Sequence, residues 1–319
     1  CHYKDHCKMQ NSSYFKYFMV FGVIAVIVLS CQKDPPIMEQ QDKPDNGAEI
    51  PGTPVKLDIP DYFPEMNIPP DNPTTKEGIK LGRRLFYDPI LSRDSSMSCA
   101  TCHEQENAFA SNVQFNRGVA GFDGVRNAMS LANVGFYPAF NWHGNVQSLE
   151  EQALEPVTNP LEMMESWPRV VKKLKRHSKY PELFREAFGD TPITRHLVAK
   201  AISQFERTLI SHNSKWDRVL KRSAETGQPV GQVVDDILNQ SELRGFALYN
   251  SERADCFHCH GVPSAQTLLT DNQFRNNGLD SMGPNEYNFD DKGFGVITGN
   301  RKDNGKFKTP TLRNVALTG

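Results

Sequence analysis

Four of the seven cysteines fall into two short patterns, Cys99-Ala100-Thr101-Cys102-His103 and Cys256-Phe257-His258-Cys259-His260. Two thiols at this spacing lie along one helical turn, where both can add across the vinyl groups of a porphyrin. The histidine that follows at once supplies an imidazole nitrogen to the iron. Each pattern is therefore an attachment site for a c-type haem: Cys99, Cys102 and His103 for the first, Cys256, Cys259 and His260 for the second. Rival chemistries fit less well. A four-cysteine zinc site has its pairs about 15–20 residues apart, whereas Cys102 and Cys256 are more than 150 apart. A thioredoxin-like pair needs a neighbouring βαβ pattern, and none is visible. Two local disulfides would leave both histidines unexplained.

The elements that must position these residues are mainly helical. Thr74 or Thr75 can cap a helix containing Ile79, Leu81, Leu85 and Phe86, which stops near Asp88-Pro89. Pro168 suits the first turn of another helix, through Val170, Val171 and Leu174. Residues 194–210 put Leu197, Ala201, Ile202, Phe205 and Leu209 on one apolar stripe. A helix over 241–250 leads into the second cysteine pattern. Strand-like alternation is scarce. Long irregular stretches over 111–147 and 270–310 have the length of loops that serve a site or a ligand. Helix, cysteine pattern and long loop occur twice, which predicts an all-α chain of two small haem domains, 74–212 and 213–319.

Composition bounds the function. The chain has 319 residues, 36 basic against 38 acidic, with 38% hydrophobic and 10% aromatic content. A net charge of -2 gives no electrostatic footprint for nucleic acid. Seven cysteines in a chain this long exclude a small disulfide scaffold, and the overall hydropathy excludes a polytopic membrane protein.

Residues 17–29 form an uncharged apolar run, too short to cross a bilayer, which needs about 20 residues, and suited to a signal-peptide core. It ends Val28-Leu29-Ser30-Cys31, which looks like the lipobox of a bacterial lipoprotein with Cys31 as the lipidated residue. The competing reading is a short membrane anchor followed by an ordinary cysteine. Met9 is the expected start, so that 1–30 hold upstream residues and a signal peptide. Residues 31–73, with ten of the 21 prolines, are expected to be an extended tether. Export, a lipid anchor and a periplasmic location follow as expectations, and haem attachment outside the cytoplasmic membrane agrees with them.

Beyond the two patterns, about residues 76–319 resemble the bacterial di-haem cytochrome c peroxidase family. The likeness runs through Leu81-Gly82-Arg83-Arg84-Leu85-Phe86-Tyr87-Asp88, Leu91-Ser92, Ser98-Cys99-Ala100-Thr101-Cys102-His103, Arg126-Asn127-Ala128, Asn133-Val134 and Trp142-His143-Gly144. It continues through Gln152, Pro156-Val157 and Glu162-Met163 to the closing run from Phe307 to Thr318. The resemblance implies cytochrome c-like domains, an N-terminal haem on His103 as the peroxide site and a C-terminal haem on His260 as the electron store. It implies Glu162 as distal acid–base, Gln152 as its support and Trp142 as the bridge between the haems. It also implies a calcium ion held by Asn127 and by backbone near Thr318, since oxygen ligands suit calcium. Hydrogen peroxide is the implied oxidant and a small cytochrome c or copper protein the electron donor; a homodimer is left open.

Two positions depart from the family. Where many members park a histidine on the first iron, this chain has Val119, which cannot ligate, so that iron is expected to be five-coordinate or to hold water at rest. The methionine that caps the second haem in the family falls beyond Gly319, so the C-terminal domain is expected to be incomplete. Met282 is a weaker substitute in a Gly-rich loop. Two alternatives accompany the peroxidase reading: a di-haem oxidase that modifies a partner protein, and a di-haem electron carrier with no catalysis.

Overall fold

The computed structural model describes residues 51–279 and 287–318. The apolar run 17–29, Cys31 and Met282, with the expectations attached to them, lie outside the described residues. Among the described residues no helix is long and apolar enough to cross a membrane.

Thr75 opens α1 (Lys76–Tyr87), its hydroxyl accepting the Gly78 N–H at 3.1 Å. Leu81 and Leu85, four residues apart, are buried beside Phe86, and the helix ends at Asp88, before Pro89. The short helix α2 (Cys99–Cys102) follows. After a long irregular segment come two single turns, α3 (Leu149–Gln152) and α4 (Glu155–Thr158). Three longer helices complete this half: α5 (Trp167–Arg176), α6 (Tyr180–Phe188) and α7 (Arg195–Glu206). As the sequence predicts, Pro168 sits in the first turn of α5; Thr194, expected inside the next long helix, instead caps α7 through the Leu197 N–H at 3.3 Å.

The one-striped helix expected over 194–210 is instead a central one. α7 is buried on all sides from Val198 to Glu206 and ends four residues early. Its polar side chains are compatible with burial because they are paired: Gln204 Nε2 donates to Asn72 Oδ1 at 2.8 Å, while Gln204 Oε1 accepts the Thr75 N–H at 2.9 Å. α1 crosses α7 at a glycine. A Cβ on Gly82 would lie 1.8 Å from the Ala201 carbonyl oxygen, so only glycine permits the helices to approach this closely.

The second half is more open. It holds α8 (Lys215–Thr226), α9 (Val230–Val233), α10 (Gln240–Tyr249), α11 (Phe257–His260) and α12 (Gly295–Thr298). α10 is started by Asn239, whose side chain caps the Glu242 N–H while the Glu242 carboxylate takes the Asn239 N–H, a reciprocal cap. The only regular strands among the described residues, β1 (Phe274–Arg275) and β2 (Phe307–Lys308), pair antiparallel with Phe274 opposite Lys308. Two apolar clusters draw on residues 81–209, and a third, around Val219, Val233 and Val234, on residues 216–246.

The expected tether is extended where described, as its prolines require, but it is not free. Phe63 and Met66 are buried, Phe63 meeting Phe136 edge-on with centroids 5.4 Å apart, and Asn72 is fully buried. Apolar residues set among the prolines hold residues 51–73 along the body.

Arg313 ties this segment to both halves. Its guanidinium grips Asp217 twice (Nη2–Oδ1 2.8 Å, Nη1–Oδ2 3.0 Å), donates from Nε to the Thr267 carbonyl at 2.6 Å and lies 4.6 Å from the Phe63 ring centroid. Burial alone would raise the Asp217 carboxyl, but Arg313 and the Ser214 hydroxyl hold it below its usual range. Both side chains are 5% exposed or less, so removing one partner strands a buried charge. Arg313→Met is expected to cost about 3–5 kcal/mol, read as a lower urea midpoint. Because the folded carboxyl is depressed, its contribution is complete above the ordinary carboxylate range. It is lost as pH falls through the lowered value.

Candidate active site

The first haem-attachment turn is built by local hydrogen bonds. The Ser98 N–H donates to Thr101 Oγ1 at 3.0 Å, and the His103 N–H donates to the Cys99 carbonyl at 3.0 Å, which winds α2 into one turn. His103 Nδ1 lies 2.9 Å from the Phe109 carbonyl oxygen. A carbonyl can only accept, so Nδ1 carries the proton and the Nε2 lone pair remains for iron. Burial holds the His103 imidazole below its usual pKa, which keeps that lone pair unprotonated. The second turn repeats the device: the His260 N–H donates to the Cys256 carbonyl at 3.0 Å, and His260 Nδ1 to the Leu269 carbonyl at 3.0 Å. That loop is itself fixed, by Tyr249 Oη on the Gly261 carbonyl at 2.9 Å and Thr270 Oγ1 on the Thr309 carbonyl at 2.6 Å.

A cavity of about 360 Å³ brings the sequence-predicted residues together. Cys102, His103, Trp142, Gln152 and Glu162 all line it, joined by Arg126, His143 and Lys308. Five nearby glutamates were indistinguishable by composition, and their partners separate them. Glu150 is bound to Arg207 at 2.6 Å and Glu165 to Lys173 at 2.8 Å, while Glu151 is exposed. Glu155 accepts from the amides of Asn141 and Asn145, both at 2.7 Å. Glu162 is left with one amide, Asn159 Nδ2 at 2.7 Å. Its pKa is raised, first by burial and further by the Glu155 charge, with Asn159 opposing. Burial, together with the Glu162 charge, also pushes the Cys102 thiol up to about 11.

Val119 pairs with the backbone of this residue: its N–H donates to the Glu162 carbonyl at 2.9 Å, and its side chain packs on the first core. Trp142 donates Nε1–H to the Asn127 carbonyl at 2.9 Å. The Asn127 side-chain nitrogen is spent on the Ser111 and Val113 carbonyls, at 3.1 and 2.8 Å, and the Thr318 N–H reaches the Asn314 carbonyl at 3.3 Å.

Residues the motifs did not single out complete the lining. Lys308 is 4% exposed, and its ammonium donates to the Ala139 carbonyl at 2.9 Å and sits 4.5 Å over the Tyr137 ring. Burial lowers its pKa to about 8. Tyr137 also lines the cavity, and burial raises its pKa, with Thr311 and Arg313 opposing. A buried ammonium that meets no carboxylate among the described residues suits a ligand with an acidic edge, and haem, with its two carboxylates, is such a ligand. The donor set and the cavity therefore fit the group that the cysteine pattern requires.

The family model for di-haem cytochrome c peroxidase matches residues 76–225. Methylamine utilization protein MauG of Methylophilus methylotrophus is 31% identical, over 83% of this chain and 72% of the relative. The cytochrome c551 peroxidase of Nitrosomonas europaea is also 31% identical, over 77% of this chain and 68% of the relative. The chain belongs to the di-haem cytochrome c peroxidase family. Among solved structures, a MauG-like protein associated with microbial copper homeostasis superposes with a TM-score of 0.72 at 36% identity, covering 83% of this chain and 77% of that one. The diheme peroxidase BthA of Burkholderia thailandensis, at 21% identity and a TM-score of 0.64, shares the fold. Membership implies two c-type haems, one for each cysteine pattern. Replacing Cys99 and Cys102 together by alanine is expected to leave one covalent haem per chain, as is the Cys256/Cys259 pair, counted by intact mass and haemochrome absorbance.

Proposed function

We propose that the chain reduces hydrogen peroxide to water with single electrons from a small redox protein, a cytochrome c or a copper protein. The observation that carries this reading is the buried Glu162 carboxyl, which shares one cavity with His103 and Gln152. When bound, haem supplies an iron that can take peroxide as a ligand and pass electrons to it. The overall reaction consumes one peroxide, two electrons and two protons and yields two waters. With haem bound, Glu162, ionised, would take a proton from peroxide in the cavity and return it to the oxygen that departs as water. Gln152 can donate to the peroxide or orient Glu162. A raised carboxyl pKa suits this double duty, because the group must hold a proton as readily as it gives one up. Val119 brings no ligating atom to the neighbourhood of Glu162, which supports an iron open to peroxide at rest.

Trp142 relays electrons from the haem on His260, and the calcium ion at Asn127 and Thr318, the periplasmic location and the lipid anchor at Cys31 belong to the same proposal. A second reading has specific support. Relatives named MauG are as similar as those named peroxidase, so oxidation of a partner protein, with peroxide as oxidant, is the competing activity.

Steady-state turnover with a reduced cytochrome c decides between them. The wild type is expected to turn over and Glu162→Gln to lose about 10²–10⁴-fold; oxidation of a partner with negligible donor turnover would favour the second reading. The wild-type rate should fall as pH drops through the raised Glu162 pKa, above the ordinary carboxylate range, and Glu162→Gln should lack that limb. In the fully oxidised protein the first haem is expected to give a high-spin EPR signal that Val119→His converts to low spin. Two low-spin haems in the wild type would overturn the open-iron reading.

A further inference from the structure

Two dipeptides face each other at the cavity wall and are joined by two rungs. Arg126 Nη1 lies 2.7 Å from His143 Nδ1, and the residue after Arg126 and the residue before His143 form the second rung, Trp142 Nε1 to the Asn127 carbonyl at 2.9 Å. The rest of the Arg126 fork is spent on one carboxylate from the far end of the chain: Nε reaches Asp291 Oδ2 and Nη2 reaches Asp291 Oδ1, both at 2.8 Å. Asp291 Oδ1 also accepts the Gly293 N–H at 2.9 Å, so the carboxylate is itself held. A third anchor comes from β2, where the Lys308 N–H donates to the Trp142 carbonyl at 2.8 Å.

The chemistry of the first rung is one-directional. A guanidinium can only donate, so His143 Nδ1 must present a lone pair and the imidazole must be neutral with its proton on Nε2. Burial and the Arg126 charge both hold His143 below its usual pKa, with Asp291 opposing, which agrees with this tautomer. The bidentate grip of Asp291 removes the rotational freedom of the fork, and the fork then fixes His143.

We propose that Arg126 and His143 are positioning residues for Trp142: the Asp291–Arg126–His143 chain locks the Trp142 backbone and aims its indole N–H at the Asn127 carbonyl, setting the geometry of electron transfer through the indole. This rests on the relay reading of Trp142 given above. Asp291 and Lys308 belong to the segment that follows the second haem motif, and Arg126 and Trp142 to the one that follows the first. The clamp therefore joins the segments between which the electron must pass.

The test uses the haem-loaded full chain. His143→Leu and Arg126→Leu remove the rung, and His143→Gln keeps an acceptor for Arg126 without a titrating ring. Ultraviolet resonance Raman, as a difference against Trp142→Phe, reads the indole N–H hydrogen bond. Stopped-flow reduction reads electron transfer from the second haem to the first. His143→Leu is expected to shift the indole band towards a free N–H and to slow the inter-haem step by about tenfold to a hundredfold, with His143→Gln restoring both. An unchanged band in both leucine variants would overturn the clamp. If Trp142→Phe leaves the inter-haem rate intact, the relay reading fails, and the Raman band alone still decides whether the clamp positions the indole.

Discussion

A histidine can hold an iron only if its ring is aimed and its tautomer chosen, and in this chain a hydrogen bond from Nδ1 to a backbone carbonyl serves both ends. Phe109 does this for His103 and Leu269 for His260. The two carbonyls lie six and nine residues beyond their histidines, in loops that the chain must fold back. Much of the surrounding structure serves to hold those loops. Phe109 and Asp255 take positive φ beside the two motifs, an uncommon conformation for residues with side chains. Such conformations persist when neighbouring contacts over-determine them.

The two halves solve the holding problem with different means. In the first half, α7 is a fully buried spine on which α1 is laid at Gly82, and polar groups inside it are paired rather than removed. In the second, apolar contact is sparse, with no buried residue in α10 or α11, and hydrogen bonds from the closing segment carry the load. Thr270, Thr309, Thr311 and Arg313 reach carbonyls or Asp217 at 2.5–3.1 Å. A network of this kind is sensitive to the loss of any one member, because each loss leaves a desolvated partner behind.

What the sequence made legible is what depends on neighbours along the chain. The cap at Thr75, the stop before Pro89 and the two attachment turns are local, and their residues announce them. The all-round burial of α7 was hidden because Lys200, Gln204 and Glu206 break its apolar pattern, and their partners, Asn72 and Thr75 among them, lie far away in sequence. Arg126 and Asp291 are 165 residues apart, and no spacing rule connects them. Glu162 was legible only through the family motif. Its distinction from four neighbouring glutamates is a matter of which amide or cation each one meets in space.

The same distinction separates the two carboxylates of one cavity. Glu155 and Glu162 both line it, and asparagine amides reach both. Two amides converge on Glu155 where it is open to water. Glu162 has one amide and is more deeply placed, so desolvation opposes its ionisation, and the Glu155 charge opposes it again. The pair is therefore asymmetric by construction. In the proposed reaction Glu155 would act only through its field, and the raised proton affinity of Glu162 is what suits it to carry a proton.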